Sequence, residues 1–226
     1  MKYVFVDFEM ATIGKDFTEQ RKIWRQEIIE IGAVMLNESF TEIGSFKKYV
    51  KPDYARHIST TVFNLTGIDD YFLNGCNGIE DELNAFAEWC LESGDNITIY
   101  AWSESDLTQI QKEYLLKSLE PSEVLNRVVE SWKDLQAEYD ETVGSHAPTA
   151  LHKALASIGV SFEGKMHDAL DDSRNTAKLF VEMSDPDEFL KTVKFSHEYK
   201  DKENTGVTLG DLFDFSKLGF MTQESA

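Results

Sequence analysis

The first carboxylates of the chain come at the end of an apolar run, where Lys2-Tyr3-Val4-Phe5-Val6 leads into Asp7-Phe8-Glu9. A strand repeats its side-chain direction every second residue, so Asp7 and Glu9 share one face while Val6 and Phe8 take the other. Two carboxylates placed this way repel each other unless a cation sits between them. Carboxylate oxygens suit hard divalent ions such as magnesium and manganese. Two later segments hold acids that could join them. Asp106 follows the apolar run Ile97–Trp102, in the opening turn of a helix. In His167-Asp168-Ala169-Leu170-Asp171-Asp172, a loop histidine precedes by five residues an aspartate entering an apolar-faced helix. Asp171 and Asp172 lie ~100° apart on that helix, so only one can face a common centre. Alone, each segment has an ordinary role: a solvated strand end, a helix-opening acid, a satisfied loop histidine.

The elements that must position these groups follow from apolar periodicity. Ile28–Leu36 is a nearly continuous apolar run, and Phe40–Val50 reads as a third strand ending at Lys51-Pro52. Residues 11–26 are polar and predict a loop. Three strands with short turns predict an antiparallel meander opening a mixed sheet. Ile79–Leu91 carries helical spacing, Ile97–Trp102 reads as a short buried strand, and 106–119 as a helix with Leu107, Ile110, Tyr114, Leu115 and Leu119 inward. Residues 121–143 read as helical with little pattern. Thr149–Ile158, closed by Gly159, and Leu170–Met183 are further helices, and Phe189, Val193 and Phe195 suggest one more.

Aromatic and aliphatic content is that of a globular chain, with 15 Phe and 42% hydrophobic residues supporting a sizeable core. No apolar run approaches the ~20 residues that cross a bilayer, and the N-terminus lacks a secretory signal. Cys76 and Cys90 are too few for a disulfide framework, so reduced thiols and a cytoplasmic location are expected. The net charge of −19 argues against a tight grip on long nucleic acid, which takes a basic footprint. Local patches could offset it: Lys15, Arg21, Lys22 and Arg25 after the first strand, or Lys47, Lys48, Lys51 and Arg56 at the third. Each patch reads equally as ordinary solvated surface.

Taken jointly, the strand-borne Asp7-x-Glu9, the mid-chain Asp106 and the late His167-x-x-x-x-Asp172 resemble the DEDDh, or DnaQ-like, 3′–5′ exonucleases over residues 2–184. Glu27–Val34 is similar to that family's second strand, and Phe63-Asn64-Leu65-Thr66-Gly67-Ile68 to its short helix and turn. Leu170–Ala177 resembles especially the branch that trims RNA ends. The resemblance implies an RNase H-like α/β fold, a mixed five-stranded sheet with an antiparallel meander, then parallel strands, flanked by helices. It implies an exonuclease domain over 1–184 and a C-terminal helical extension or tail over 185–226. It implies two divalent ions, Mg2+ or Mn2+, held by Asp7, Glu9, Asp106 and Asp172, with Asp7 bridging both and Asp171 a neighbour of the site. His167 would take the proton of the attacking water, and nucleoside 5′-monophosphates would leave from the 3′ ends of single-stranded RNA or DNA. Backbone around Met10, Ala11 and Thr12 and side chains near Leu65, Thr66 and Ile68 would hold the terminal nucleotide, with Phe8 or Phe63 near a base. The alternative is a catalytically idle or partner-dependent nucleic-acid-binding module on the same fold. The apolar stretch 209–220 is a candidate contact for a protein partner.

Overall fold

Branched and aromatic residues dominate both sides of Asp7, and in the computed structural model, which describes residues 1–92, 94 and 96–193, they build one mixed sheet. Strands β1 (Lys2–Thr12), β2 (Gln26–Leu36) and β3 (Glu42–Tyr49) form the antiparallel meander. β4 (Ile97–Ala101) pairs parallel to β1, and β5 (Trp132–Asp134) parallel to β4, giving the order β3-β2-β1-β4-β5. The helices are α1 (Gln20–Ile23), α2 (Thr60–Thr66), α3 (Asp70–Leu73), α4 (Ile79–Leu91), α5 (Ser105–Lys117), α6 (Glu123–Glu130), α7 (Leu135–Val143), α8 (Leu151–Ser157) and α9 (Ala169–Met183). Residues 186–193 are helical as well, with Phe189 and Val193 packed beside Tyr139, Leu155 and Leu179. Among the described residues no helix is long and apolar enough to cross a membrane. Phe195 and the stretch 209–220 lie outside the described residues.

Alternation along β1 sorts the side chains into two layers. Val4, Val6 and Phe8 enter a core with Ile31, Leu83, Phe86, Ile99 and Leu125, under α4 and α6. Phe5 turns the other way, into a core with Val34, Tyr100, Leu135, Ala177 and Phe180, under α9. Burying each such side chain contributes ~1.5–3 kcal/mol. Asp7 and Glu9 follow Phe5 in phase, so they face the layer that contains α9.

Three expectations are corrected. The stretch 11–26 is not all loop: β1 continues to Thr12 past a register shift between Glu9 and Met10, and α1 follows. The fifth strand is three residues long, inside the stretch 121–143 read as helical, and its length is too short for periodicity to announce. The inward stripe of α5 is as expected at Ile110, Tyr114 and, just past its end, Leu119, but not at Leu115, which is exposed, while Gln109, Glu113, Leu116 and Lys117 are buried.

That polar stripe docks on polar groups of β2. Lys117 Nζ lies 3.0 Å from Glu27 Oε1 and 2.8 Å from Glu113 Oε2, and both carboxylates are fully buried. Glu27 accepts the amides of Asp53, Tyr54 and Ala55, and Glu113 accepts that of Ile28. The network ties α5, whose first turn carries Asp106, to the head of β2 and to the chain leaving β3.

Candidate active site

Asp7 pairs across the sheet with Gly32 of β2, and Gly32 with Lys47 of β3, so one rung carries Asp7, Gly32 and Lys47 on one face. A Cβ on Gly32 would lie 2.1 Å from the Ala169 carbonyl carbon and from the Leu170 nitrogen. The missing side chain is therefore where the first turn of α9 sits against the sheet. That seat brings Asp172 to the strand carboxylates: one oxygen each from Asp7, Glu9 and Asp172 lie within 4.8 Å of one another. Asp106 stands outside that trio, buried at the head of α5, and it contributes the largest charge repulsion felt by Asp7. The Ser105 hydroxyl donates to Asp106 Oδ2 at 3.5 Å.

Burial lifts the whole set, and repulsion from the other acids adds to it at Asp7 and Glu9. Asp7 is raised well above the usual carboxylate range by desolvation and by Asp106, Asp172 and Glu9. Desolvation raises Glu9 to about 8, Asp106 to about 7 and Asp172 to about 6, in the last two against hydrogen bonds that favour the charged form. Crowded, all-oxygen carboxylates that resist ionising together are a donor set suited to a hard divalent cation. The residues fit such a group.

The loop before α9 hangs from that helix by side-chain caps. Asn175 Oδ1 accepts the Glu163 amide, while its Nδ2 donates to the carbonyls of Glu163 and Asp171. Asp171 Oδ2 accepts the Lys165 amide, and Asp172 Oδ2 the His167 amide at 2.8 Å. Gly164 (φ 84°) lets the chain pass Asp171, where a Cβ would lie 2.4 Å from the carboxylate. His167 itself takes φ 64°, a left-handed conformation that costs a side-chain-bearing residue energy and is held by these caps. Its ring is half-exposed, with Nδ1 3.8 Å from Glu9 Oε1. Asp171 is thus turned to the loop and Asp172 to the strand acids.

The expected nucleotide-holding residues divide. Leu65 is exposed and Thr66 half-buried at the end of α2, and the Thr66 carbonyl accepts from Lys165 Nζ at 2.7 Å, which joins α2 to the histidine loop. Met10 is half-buried and Thr12 exposed, and the stretch from Met10 to Thr12 is the end of β1, where the backbone was the expected contact; the Ile68 side chain is buried with Ala11, Ile29, Ala55 and Leu73 and is not offered to a ligand. Phe8 is core and Phe63 is exposed.

Sequence reasoning passed over Glu30 and Asp168. Glu30, opposite Glu9 on β2, is 2% exposed. Asp168 caps α9 through the Asp171 amide. Lys47 Nζ stands 2.8 Å from Glu30 Oε1 and 2.5 Å from Asp168 Oδ2, so it is not a surface phosphate contact. The visible signal was a glutamate inside an otherwise apolar strand, Ile28-Ile29-Glu30-Ile31.

The sequence and the fold have known counterparts. The chain is 33% identical over 201 residues to ERI1 exoribonuclease 2 of Xenopus laevis, covering 80% of this chain and 28% of that protein. It is 30% identical over 230 residues to the human protein of the same name, covering 92% and 32%. The chain thus spans about a third of the length of these relatives. The nuclease domain of 3′hExo, a DEDDh family member solved bound to rAMP, shares the fold with a TM-score of 0.68 at 22% identity, covering 81% of this chain and 91% of that one. The sequence profile of the RNase_T family, described as Exonuclease, matches residues 4–180, from the strand before Asp7 to the helix beyond Asp172. The chain therefore belongs to the RNase_T exonuclease family.

Proposed function

We propose that this chain is a metal-dependent 3′–5′ exonuclease that removes nucleoside 5′-monophosphates from single-stranded RNA ends. The observation that carries the proposal is the convergence of Asp7, Glu9 and Asp172 oxygens beside the half-exposed ring of His167. The names of the relatives, exoribonucleases, favour RNA over DNA. Asp7, Glu9 and Asp172, with Asp106 beyond Asp7, would hold two divalent ions, Mg2+ or Mn2+. Such ions, when bound, supply positive charge to a scissile phosphate and acidify a water.

The remaining roles belong to side chains. His167, on a loop tied to Asp172, receives a proton from the attacking water at a ring nitrogen. The bond from the His167 amide to Asp172 Oδ2 ties the histidine backbone to that carboxylate. Leu65, exposed, and Thr66, half-buried, end α2, where a terminal nucleotide would rest, and Lys165 holds that end to the histidine loop. Thr12 is exposed at the end of β1, the strand that carries Asp7 and Glu9. The division into an exonuclease domain over 1–184 and an extension over 185–226 is part of this reading, supported by the matched span and qualified by the packing of Phe189 and Val193 onto the domain. The free thiols of Cys76 and Cys90 favour a cytoplasmic setting.

The test is incubation of 5′-labelled single-stranded RNA and DNA oligonucleotides with manganese or with chelator. A ladder shortening from the 3′ end, 5′-monophosphate products, faster loss of RNA than DNA, and silence in chelator are expected. Asp7→Ala should abolish the ladder and His167→Ala slow it strongly. Intact oligonucleotides under every metal condition would end the exonuclease reading.

A further inference from the structure

We propose that Lys47 is a positioning residue for the active site, a bridge that fixes the head of α9 to the sheet and thereby aligns His167 and Asp172 with Asp7 and Glu9. The inference rests on the exonuclease reading and extends it to a residue two strands away from the acids.

The argument starts from register. Asp7–Gly32–Lys47 and Glu9–Glu30–Tyr49 are adjacent rungs two residues apart, so all six positions lie on one face of β1, β2 and β3. Gly32 leaves the centre of this grid empty, and Ala169 and Leu170 of α9 occupy it. The helix head is thus flanked by Asp7 on one side and by Lys47 on the other. Close packing at Gly32 sets how near the helix comes, but an apolar seat alone leaves it free to rock along the strand. Lys47 limits that motion: its ammonium lies 2.5 Å from Asp168 Oδ2 and 2.8 Å from Glu30 Oε1, with the ring of Tyr49 beneath it at 5.5 Å. Asp168 is the helix cap and the residue next to His167.

The chemistry of the bridge also explains why a surface role for Lys47 is excluded. Glu30 is 2% exposed and faces Glu9 across the strand pair. Withdrawing the ammonium toward a phosphate would leave a buried carboxylate without a counter-charge beside other carboxylates, which is strongly unfavourable. The cation is therefore committed to the protein, and its effect on catalysis passes through Asp168 and α9.

Two kinds of measurement on the full chain test this. In chelator, amide hydrogen exchange across residues 164–172 of Lys47→Met should quicken about tenfold relative to wild type, with 97–101 of β4 unchanged. With manganese and single-stranded RNA, kcat of Lys47→Met should fall about 10–100-fold while KM stays within about threefold, as for residues that orient ligands without touching substrate. Lys47→Arg, which can still bridge two carboxylates, should recover most of the rate. Lys47→Met/Glu30→Gln restores charge balance without the bridge and should stay slow. Unchanged exchange over 164–172 would overturn the proposal, as would a rise in KM at constant kcat or recovery of rate in the double variant. The exchange arm needs no turnover, so it decides the role of Lys47 even if wild type proved inactive, an outcome that would instead remove the exonuclease reading.

Discussion

Glu9→Gln should stabilise the metal-free protein at alkaline pH while removing its activity. Burial and the neighbouring acids hold the Glu9 carboxyl at about 8 instead of 4.5. Between those values the folded chain keeps a proton that the unfolded chain has released, so folding stability falls as pH rises through this window. At ~1.4 kcal/mol per tenfold change in proton affinity, full ionisation of Glu9 costs on the order of 5 kcal/mol. A neutral amide of the same shape relieves on the order of 3 kcal/mol of this, since part of the desolvation cost remains. For a domain of this size that corresponds to a rise in Tm of about 5–10 °C. The assay is thermal melting at pH 5 and pH 8, in chelator and in manganese. In chelator the variant should melt higher than wild type at pH 8 and level with it at pH 5, where both side chains are neutral. In manganese the order should reverse, because wild type gains the ion's binding energy and the variant does not. A variant melting no higher than wild type at pH 8 in chelator would refute the account of the site as a repelling cluster.

Three substitutions test the scaffold. Gly32→Ala forces a methyl to 2.1 Å from backbone atoms of α9 that cannot rotate away; a loss of ~3 kcal/mol or more in urea unfolding is expected, with activity lost as well. Lys117→Met leaves Glu27 and Glu113 buried without their shared cation and should cost ~3–5 kcal/mol, read as a lower urea midpoint. Asp171→Asn keeps an oxygen to accept the Lys165 amide and should retain activity within about tenfold, whereas Asp172→Asn should remove it; a reversed order in RNA-trimming assays would show that the wrong aspartate is assigned to the ion.

Position along the chain made some of this legible and hid the rest. Alternation in β1 placed Asp7 and Glu9 on one face, and helical spacing delivered α4 and α9 nearly to the residue. These are local properties, fixed by the period of each element. What brings Asp172 to Asp7 is not local: it is the pairing of Asp7 with Gly32 and the contact of Gly32 with Ala169, two long-range facts that no periodicity carries. The buried polar stripe of α5 was missed for a related reason. Gln109, Glu113 and Lys117 read as solvent-facing until Glu27 of β2 is known to lie against them, and Leu115 read as core for want of that partner. Lys47 is the clearest case, since a strand lysine beside Lys48 and Lys51 looks like part of a basic patch until Glu30 and Asp168 claim it.

The same bookkeeping of cations bears on how an acidic chain of net charge −19 handles a polyanion. Lys47 is held by Glu30 and Asp168, and Lys117 by Glu27 and Glu113. Arg21 donates to the Ile13 carbonyl and Arg56 to that of Asp53. Lys165 likewise donates to a carbonyl, that of Thr66, but it stands on the loop that carries His167, and we take it as the basic side chain that meets a phosphate there. With one or two phosphates contacted by side chains, the salt dependence of RNA binding should be shallow, with log KM rising against log salt at a slope of about 1. Lys165→Met should flatten it further, measured from 50 to 300 mM potassium chloride, about the range over which counterion release is resolved. A slope of about 3 or more would mean that further basic side chains meet the strand, and would move the substrate path away from α2.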